Sequence, residues 1–402
     1  MSKRHQVGSS PQSLVARIEE VVLASSGADA FELVFALAAA RLAGGERRRG
    51  GEVAAVAAAS RSRSAVLAQI DRAARRWPGL EPARALDVSD EALGEVLGLL
   101  DQAGVVPAEL GLEGARARAR GDAGEALDAV FEQLVTRVGK GEKGQFFTPR
   151  HVVEMAARAL LLEAGERVVD PACGSGAFLV HARAQARVEA WGFDVDARAV
   201  RVARLIAVAT GDDPARYVRA DSLRRDAVVP ARVDVILTNP PFAGAVTYPG
   251  YTLAATGRRV ERDALFVERC MELLRPGGRI AIVLPHSKVA ARAWAGLRRW
   301  LVERARVMAV VSLPRETFLP HTAQKTAIVF AKKRIDGEAP RAEERIFFAV
   351  SERAGKDAAG EPILRAGAPT GEGAATWRAI DHDLDDVEAQ LTAFLRAEGF
   401  AR

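Results

Sequence analysis

Apolar positions in the first third of the chain recur at helical spacing. Asp29 precedes Phe31, Leu33, Val34, Phe35 and Leu37, and Gly44-Gly45 follows, a pattern that predicts a capped start, a buried stripe and a glycine stop. The same signs predict a helix over Ala54–Trp77, stopped by Pro78. Another is predicted over Ser89–Ala103, with Asp90 and Glu91 in its first turn and Gly104 after it. No strand pattern separates these segments, so residues 1–121 are expected to form a helical domain. The Arg116–Gly121 stretch then leads into a helix from Asp122 to Val138.

From Gly139 the texture changes. Short apolar runs at Arg167–Asp170, Val188–Phe193, Val233–Leu237, Ile280–Leu284, Val307–Leu313 and Thr326–Phe330 alternate with amphipathic stretches, including a helix from Ala177 and one over Ala197–Ala209. A further strand is expected to end near Ala220-Asp221-Ser222. Strands separated by helices imply an α/β fold with a largely parallel sheet covered on both faces. Residues 122–350 are the expected α/β domain, and residues 351–402 a Gly- and charge-rich tail with one helix, Asp385–Ala397.

Composition narrows the class. The chain has 402 residues, 49% hydrophobic and 27% charged, which is the balance of a soluble globular protein with length for two or three domains. Its two cysteines, Cys173 and Cys270, exclude a disulfide framework and a zinc site built on paired thiolates. The start, Met1-Ser2-Lys3-Arg4-His5, has no apolar segment behind it, and no run is apolar and long enough to span a bilayer. The expectation is a cytoplasmic protein without a membrane partner. With 57 basic and 52 acidic residues the net charge of +5 permits nucleic-acid binding without demanding it.

The candidate chemistry begins at Val168-Val169-Asp170-Pro171-Ala172-Cys173-Gly174-Ser175-Gly176-Ala177, where a strand runs into a small-residue turn that opens a helix. Such a turn lets backbone amides approach a ligand closely. It lacks the Gly-Lys-Ser/Thr ending of a phosphate loop and the spaced glycines of the dinucleotide fingerprint. A ligand-free tight turn is the alternative. About 20 residues on, Asp194 ends the second strand where a carboxylate accepts from ribose hydroxyls, and Asp196 is expected to cap the next helix. Asp221 is placed to accept from an adenine amino group or to be a plain surface carboxylate. Asp170, Asp194 and Asp221 at successive strand ends favour a nucleoside lying across the sheet's carboxyl edge.

The fourth strand runs into Thr238-Asn239-Pro240-Pro241-Phe242. Two prolines stiffen the turn, and an amide side chain beside a rigid carbonyl offers two acceptors for the two hydrogens of one planar amino group. Those acceptors favour the tetrahedral, positively charged nitrogen that forms as the amine attacks, and Phe242 is placed to stack on the same ring. A proline-rich loop with a buried Phe is the alternative.

The glycine motif followed by Asn239-Pro240-Pro241-Phe242 resembles the motifs of S-adenosylmethionine-dependent amino-methyltransferases. Upstream, Gly144-Gln145-Phe146-Phe147-Thr148-Pro149 is similar to the motif preceding the donor site in adenine-N6 DNA methyltransferases of bacterial restriction-modification systems, especially the type I modification subunit. The resemblance covers about residues 122–333, including Leu313-Pro314 and Lys325–Phe330. It implies a Rossmann-like, seven-stranded sheet whose last strand is antiparallel. It also implies catalysis by the Asn239–Phe242 turn and S-adenosyl-L-methionine as cofactor. Asp170, Ala172, Gly174 and Gly176 would line the donor pocket with Phe147, and Thr148 would contact the methionine carboxylate. Asp194 and Asp221 would hold the ribose and adenine of the donor.

The expected reaction is methyl transfer to the N6 of an adenine flipped out of duplex DNA, without a metal or a covalent intermediate. The rivals are transfer to cytosine N4, an RNA base or a protein glutamine, and a catalytically silent donor-binding scaffold. Neither cysteine follows a proline as carbon-5 chemistry on cytosine requires, and His286 and His321 are lone histidines near strand ends. Such enzymes need a target-recognition module, and the tail after about residue 350 is short for one. A separate specificity subunit is therefore expected, as in the type I family, with the helical domain as the alternative source of specificity and a restriction nuclease subunit as a further candidate partner. The segment Ala243–Arg262, carrying Tyr248, Tyr251, Arg258, Arg259 and Arg262, is the expected DNA contact, with a solvated surface loop as the alternative.

Overall fold

Strand β1 (Arg167–Asp170) sits at the middle of the architecture because its side chains are buried on both faces, as the Val168-Val169 pair requires. The computed structural model describes residues 11–25, 29–45, 62–83, 86–102, 127–132, 134, 147–242, 244–254, 260–367 and 376–401. The chain divides into two units: residues 1–142, 201–215 and 369–377 in the first, and residues 143–200, 216–368 and 378–402 in the second.

The described part of the first unit is helical: α1 (Pro11–Ser25), α2 (Ala30–Gly45), α3 (Arg63–Arg76) and α4 (Asp90–Gln102). Asp29 caps α2 as its sequence position predicts, its Oδ1 accepting from Phe31 N–H at 2.9 Å. Phe31 and Phe35 are buried one turn apart and meet Phe131 edge-on at 5.4 and 6.0 Å. Within this unit Arg201 makes a bidentate pair with Glu32 at 2.7 and 2.9 Å and lies 4.4 Å over the Phe35 ring. Helix α3 starts from Ser62 and stops at Trp77, before Pro78. The predicted Arg116–Gly121 link, residues 54–61 of the helix predicted over Ala54–Trp77 and the ends of the predicted helix over 122–138 lie outside the described residues. Among those described, no single helix is long and apolar enough to cross a membrane.

The second unit is built on one sheet. Its strands are β1, β2 (Glu189–Asp194), β3 (Tyr217–Arg219), β4 (Val233–Thr238), β7 (Leu274–Pro285), β8 (Ala305–Ser312), β9 (Thr326–Lys333) and β10 (Phe347–Val350), in the order β10-β8-β9-β7-β4-β1-β2-β3. A two-stranded hairpin, β5 (Ala245–Val246) with β6 (Val260–Glu261), stands apart from it. Strands β3, β2, β1, β4 and β7 run parallel, and β9 runs antiparallel between β7 and β8. The expected antiparallel seventh strand is therefore present. An eighth, β10, pairs parallel with β8 at the sheet edge. In this four-residue strand Phe347 and Ala349 are half-buried while Phe348 and Val350 are exposed, so the apolar run Ile346–Val350 marks a half-covered edge strand that is not among those predicted.

Helices α5 (Arg150–Ala159), α6 (Ala177–Gln185), α7 (Ala197–Thr210), α8 (Arg262–Leu273), α9 (His286–Ala290), α10 (Ala295–Arg304) and α11 (Leu384–Ala397) follow among the described residues. Helix α11 packs on α5, and beside it His382 stacks on His151 at 4.8 Å. A core of Val169, Phe193, Ile236, Val267, Cys270, Ile280 and Ile282 joins the sheet to α8. Because β2 and β3 extend to one side of β1 while β4 lies on its other side, the chain reverses direction between β1 and β4. The crevice at the carboxyl ends of those two strands is where an open α/β sheet takes its ligand.

Candidate active site

Asp170 and Asn239 follow from that topology: one ends β1, and the other is the first residue past β4. Asp170 is fully buried, and its Oδ1 accepts from Thr238 Oγ1 at 2.6 Å and from Ala172 N–H at 3.0 Å. Its Oδ2 is buried with no hydrogen-bond partner. Burial raises its pKa from 3.8 to about 7, against the opposing pull of those two donors. A buried carboxylate with an unused oxygen is a receptor for a cationic or amino-bearing ligand.

Beyond Asp170 the turn opens. Gly174 at φ +53° and Gly176 at φ +87° occupy left-handed conformations that favour glycine, and a Cβ at Gly174 would meet nothing within 4 Å. The Gly174 N–H donates to Asp194 Oδ2 at 3.0 Å, and Asp196 N–H donates to Asp194 Oδ1 at 2.9 Å. Asp194 thus fastens the glycine turn to the end of β2 and is itself buried, which raises its pKa. Asp196 caps α7 as expected, accepting from Arg198 and Ala199 N–H at 2.8 and 3.3 Å. Burial pushes the Cys173 thiol well up, so it is a packing group beside the turn.

On the β4 side, Asn239 Nδ2 donates to Thr148 Oγ1 at 2.8 Å, while Asn239 Oδ1 is buried without a partner. Pro240 is buried, and Phe242 is buried with its ring edge-on to Phe318 at 5.9 Å. Phe147 and Thr148 are half-buried, at the start of α5, whereas Gly144, Gln145 and Phe146 lie outside the described residues. At the β3 end, Asp221 Oδ2 accepts from the Tyr248 hydroxyl at 2.6 Å and Oδ1 from Leu223 N–H at 3.1 Å.

The structure therefore brings Thr148, Asp170, Thr238 and Asn239 into one bonded group and places Asp194 and Asp221 on the strand ends to one side. One expected DNA contact is corrected. Tyr251 is 2% exposed, packs with Leu223, Leu265 and Phe266, and donates its hydroxyl to Leu223 O at 2.7 Å, so it has no face to offer DNA. Arg258 and Arg259 lie outside the described residues. Thr238 and Phe318 are site residues that the sequence motifs alone do not single out. Thr238 directly precedes Asn239, and Phe318 follows Leu313-Pro314, so both stood beside motifs already singled out.

These residues fit S-adenosylmethionine, which carries a carboxylate, an ammonium, a sulfonium, two ribose hydroxyls and an adenine amino group. The unused Asp170 oxygen suits its cationic portion, and the open face of Gly174 leaves room for close approach.

Comparison with known proteins agrees. Residues 121–366, more than half of the chain, match the family described as N-6 DNA Methylase. The methylase subunit of the type I restriction enzyme EcoEI of Escherichia coli is 27% identical over 229 residues, 51% of this chain and 46% of that protein. A tRNA (guanine(10)-N2)-dimethyltransferase of Methanothermobacter thermautotrophicus is 30% identical over 163 residues, 39% of this chain and 46% of its own length. The chain thus spans about half the length of these relatives. In three dimensions it superposes on the type I restriction-modification system methyltransferase subunit from Streptococcus thermophilus with a TM-score of 0.56 and 18% identity, covering 85% of this chain and 86% of that one. The fold is that of the S-adenosylmethionine-dependent methyltransferases. The motif order, the switch-point site and the extent of the match lead to one assignment: the chain belongs to the N-6 DNA methylase family.

Proposed function

We propose that the chain methylates the N6 amino group of adenine in DNA, using S-adenosylmethionine, as the modification subunit of a restriction-modification system. The observation that carries this reading is the buried, partnerless Oδ1 of Asn239, held in place through its own Nδ2. A buried acceptor left unpaired costs about 1–3 kcal/mol, and an incoming amino group relieves it. When bound, the donor supplies a methyl group on a sulfonium sulfur. Asn239 Oδ1 and a carbonyl of the proline turn hold the two amino hydrogens, so the charge that grows on the nitrogen meets fixed dipoles. Pro240 and Phe242 close the turn against water, and Phe242 stands in for stacking lost when a base leaves the duplex. Asp170, Asp194, Asp221, Gly174, Gly176, Ala172, Phe147 and Thr148 are assigned to the donor side, where Tyr248 is bonded to Asp221, and Arg258 and Arg259 to the DNA side.

DNA, a separate specificity subunit and a restriction nuclease subunit are the proposed partners, a reading supported by the similarity to methylase subunits of type I restriction enzymes. A second reading, an exocyclic amino group of an RNA base, draws on the match to the tRNA dimethyltransferase. Incubation with donor labelled in its methyl group, with DNA, RNA and total protein as acceptors and any specificity partner present, separates them. Label in N6-methyladenine of DNA is expected. Label confined to RNA or protein would replace this reading.

A further inference from the structure

The segment that leaves the Asn239–Phe242 turn does more than cross the surface. It runs through β5 and then fastens itself to the end of β3. Tyr248 donates to Asp221 Oδ2 at 2.6 Å, and Tyr251 donates to Leu223 O at 2.7 Å. Behind them Thr252 and Leu253 N–H donate to the two carboxylate oxygens of Glu268 at 2.6 and 2.9 Å, and Arg225 lies 5.0 Å over the Tyr251 ring. The Tyr248 side chain is thus delivered by a braced backbone to a carboxylate 27 positions away.

An isolated aspartate carboxylate swings about its last torsion. Here Leu223 N–H fixes Oδ1 and the phenol fixes Oδ2, so the plane of the group is set while each oxygen keeps a second lone pair. We propose that Tyr248 is a positioning residue that orients Asp221 to accept the exocyclic amino group of the donor's adenine, and so sets the preference for adenine over a 6-oxo purine. This rests on the donor reading given above. Burial and the Asp221 carboxylate raise the Tyr248 phenol to about 12, so it remains a hydrogen-bond donor throughout the working pH range. A 6-oxo purine presents a carbonyl where adenine has its amino group, and two acceptors then face each other.

Calorimetric titration with S-adenosylhomocysteine and with its deaminated analogue S-inosylhomocysteine tests this on the full chain. The wild type is expected to favour the adenine compound. Tyr248→Phe should weaken S-adenosylhomocysteine about fivefold, the equivalent of one ordinary hydrogen bond of about 1 kcal/mol because the phenol acts on the ligand only through Asp221, and narrow the discrimination ratio by the same factor. Asp221→Asn should narrow it further, and the double variant should be no worse than Asp221→Asn alone. A purely structural role for the phenol would weaken both compounds equally, and that result overturns the proposal. So do independent, multiplying effects of the two substitutions. Equal binding of both compounds by the wild type would overturn it while leaving the donor site in place. Binding of neither would bring down the donor reading itself.

Discussion

Asn239 Nδ2 donates to Thr148 Oγ1 at 2.8 Å, joining residues 91 positions apart in the chain. An amide has one donor end and one acceptor end, so committing Nδ2 to Thr148 determines that Oδ1 faces the substrate side. Thr148 therefore acts through Asn239, whether or not it also meets the donor. Thr148→Val keeps the shape and removes the acceptor. It should lower kcat about tenfold, the equivalent of one hydrogen bond of about 1.4 kcal/mol, and Thr148→Ser should restore most of it. Steady-state kinetics at saturating donor check this, and an effect on donor affinity alone would return Thr148 to the methionine carboxylate.

Replacing Asn239 by Ala removes the acceptor that meets the developing positive charge. The loss in kcat should be about 100-fold or more, as for other fixed dipoles aimed at transition-state charge, with donor affinity within about twofold. The donor-free protein should lose little stability, because deleting the buried, unpaired Oδ1 offsets the loss of the Nδ2–Thr148 bond. Single-turnover methylation and thermal unfolding measure the two effects, and comparable turnover in the variant would remove Asn239 from the chemistry.

How much of this was legible beforehand depended on range along the chain. The β1 and β4 motifs could be read because strand, turn and special residues are contiguous, and local chemistry fixes each turn: glycines at positive φ after Asp170, prolines after Asn239. The Asp170–Thr238 and Asn239–Thr148 bonds span 68 and 91 positions; the adjacency of β1 and β4 creates the first, and the placement of the segment before α5 at the end of β4 creates the second. Tyr251 misled for the same reason. An aromatic in a loop after a catalytic turn suits nucleic acid, and its burial against Leu265 and Phe266 of α8 has no local signature.

The Asp170 carboxyl gives the donor-free site a pH dependence. Its pKa in the folded protein lies near 7 against an ordinary 3.8, so the neutral form is the one that folding favours. Its contribution to stability is full below about 4 and is lost as pH rises through about 7. A cationic donor favours the ionised form, so donor affinity should rise over that window, with proton release approaching about half a proton per site at pH 7. Calorimetry in two buffers of different ionisation enthalpy counts the protons. Asp170→Asn should abolish both the release and the pH dependence of affinity, and an unchanged pH profile in that variant would assign the titration to another group.

Gly192 supports the same turn from beneath. It lies in β2, two residues before Asp194, and a Cβ there would stand 2.8 Å from the Tyr217 ring and 2.9 Å from Cys173 Sγ, with Leu179 at 3.1 Å. Tyr217 is 1% exposed and Cys173 6%, so neither moves without disturbing packing. Cys173 belongs to the glycine turn, and its N–H donates to Phe193 O at 2.9 Å, so pressure on its sulfur reaches the backbone that faces the donor. Gly192→Ala should therefore lower unfolding free energy by about 1–3 kcal/mol, the usual range for overpacking, and weaken S-adenosylhomocysteine as well. Adding Cys173→Ala deletes the sulfur and should recover part of both losses, because the two changes share one contact. Denaturant unfolding and titration of the two single variants and the double variant measure this. If Gly192→Ala kept wild-type stability and affinity, the strand would have to yield where the geometry shows it cannot.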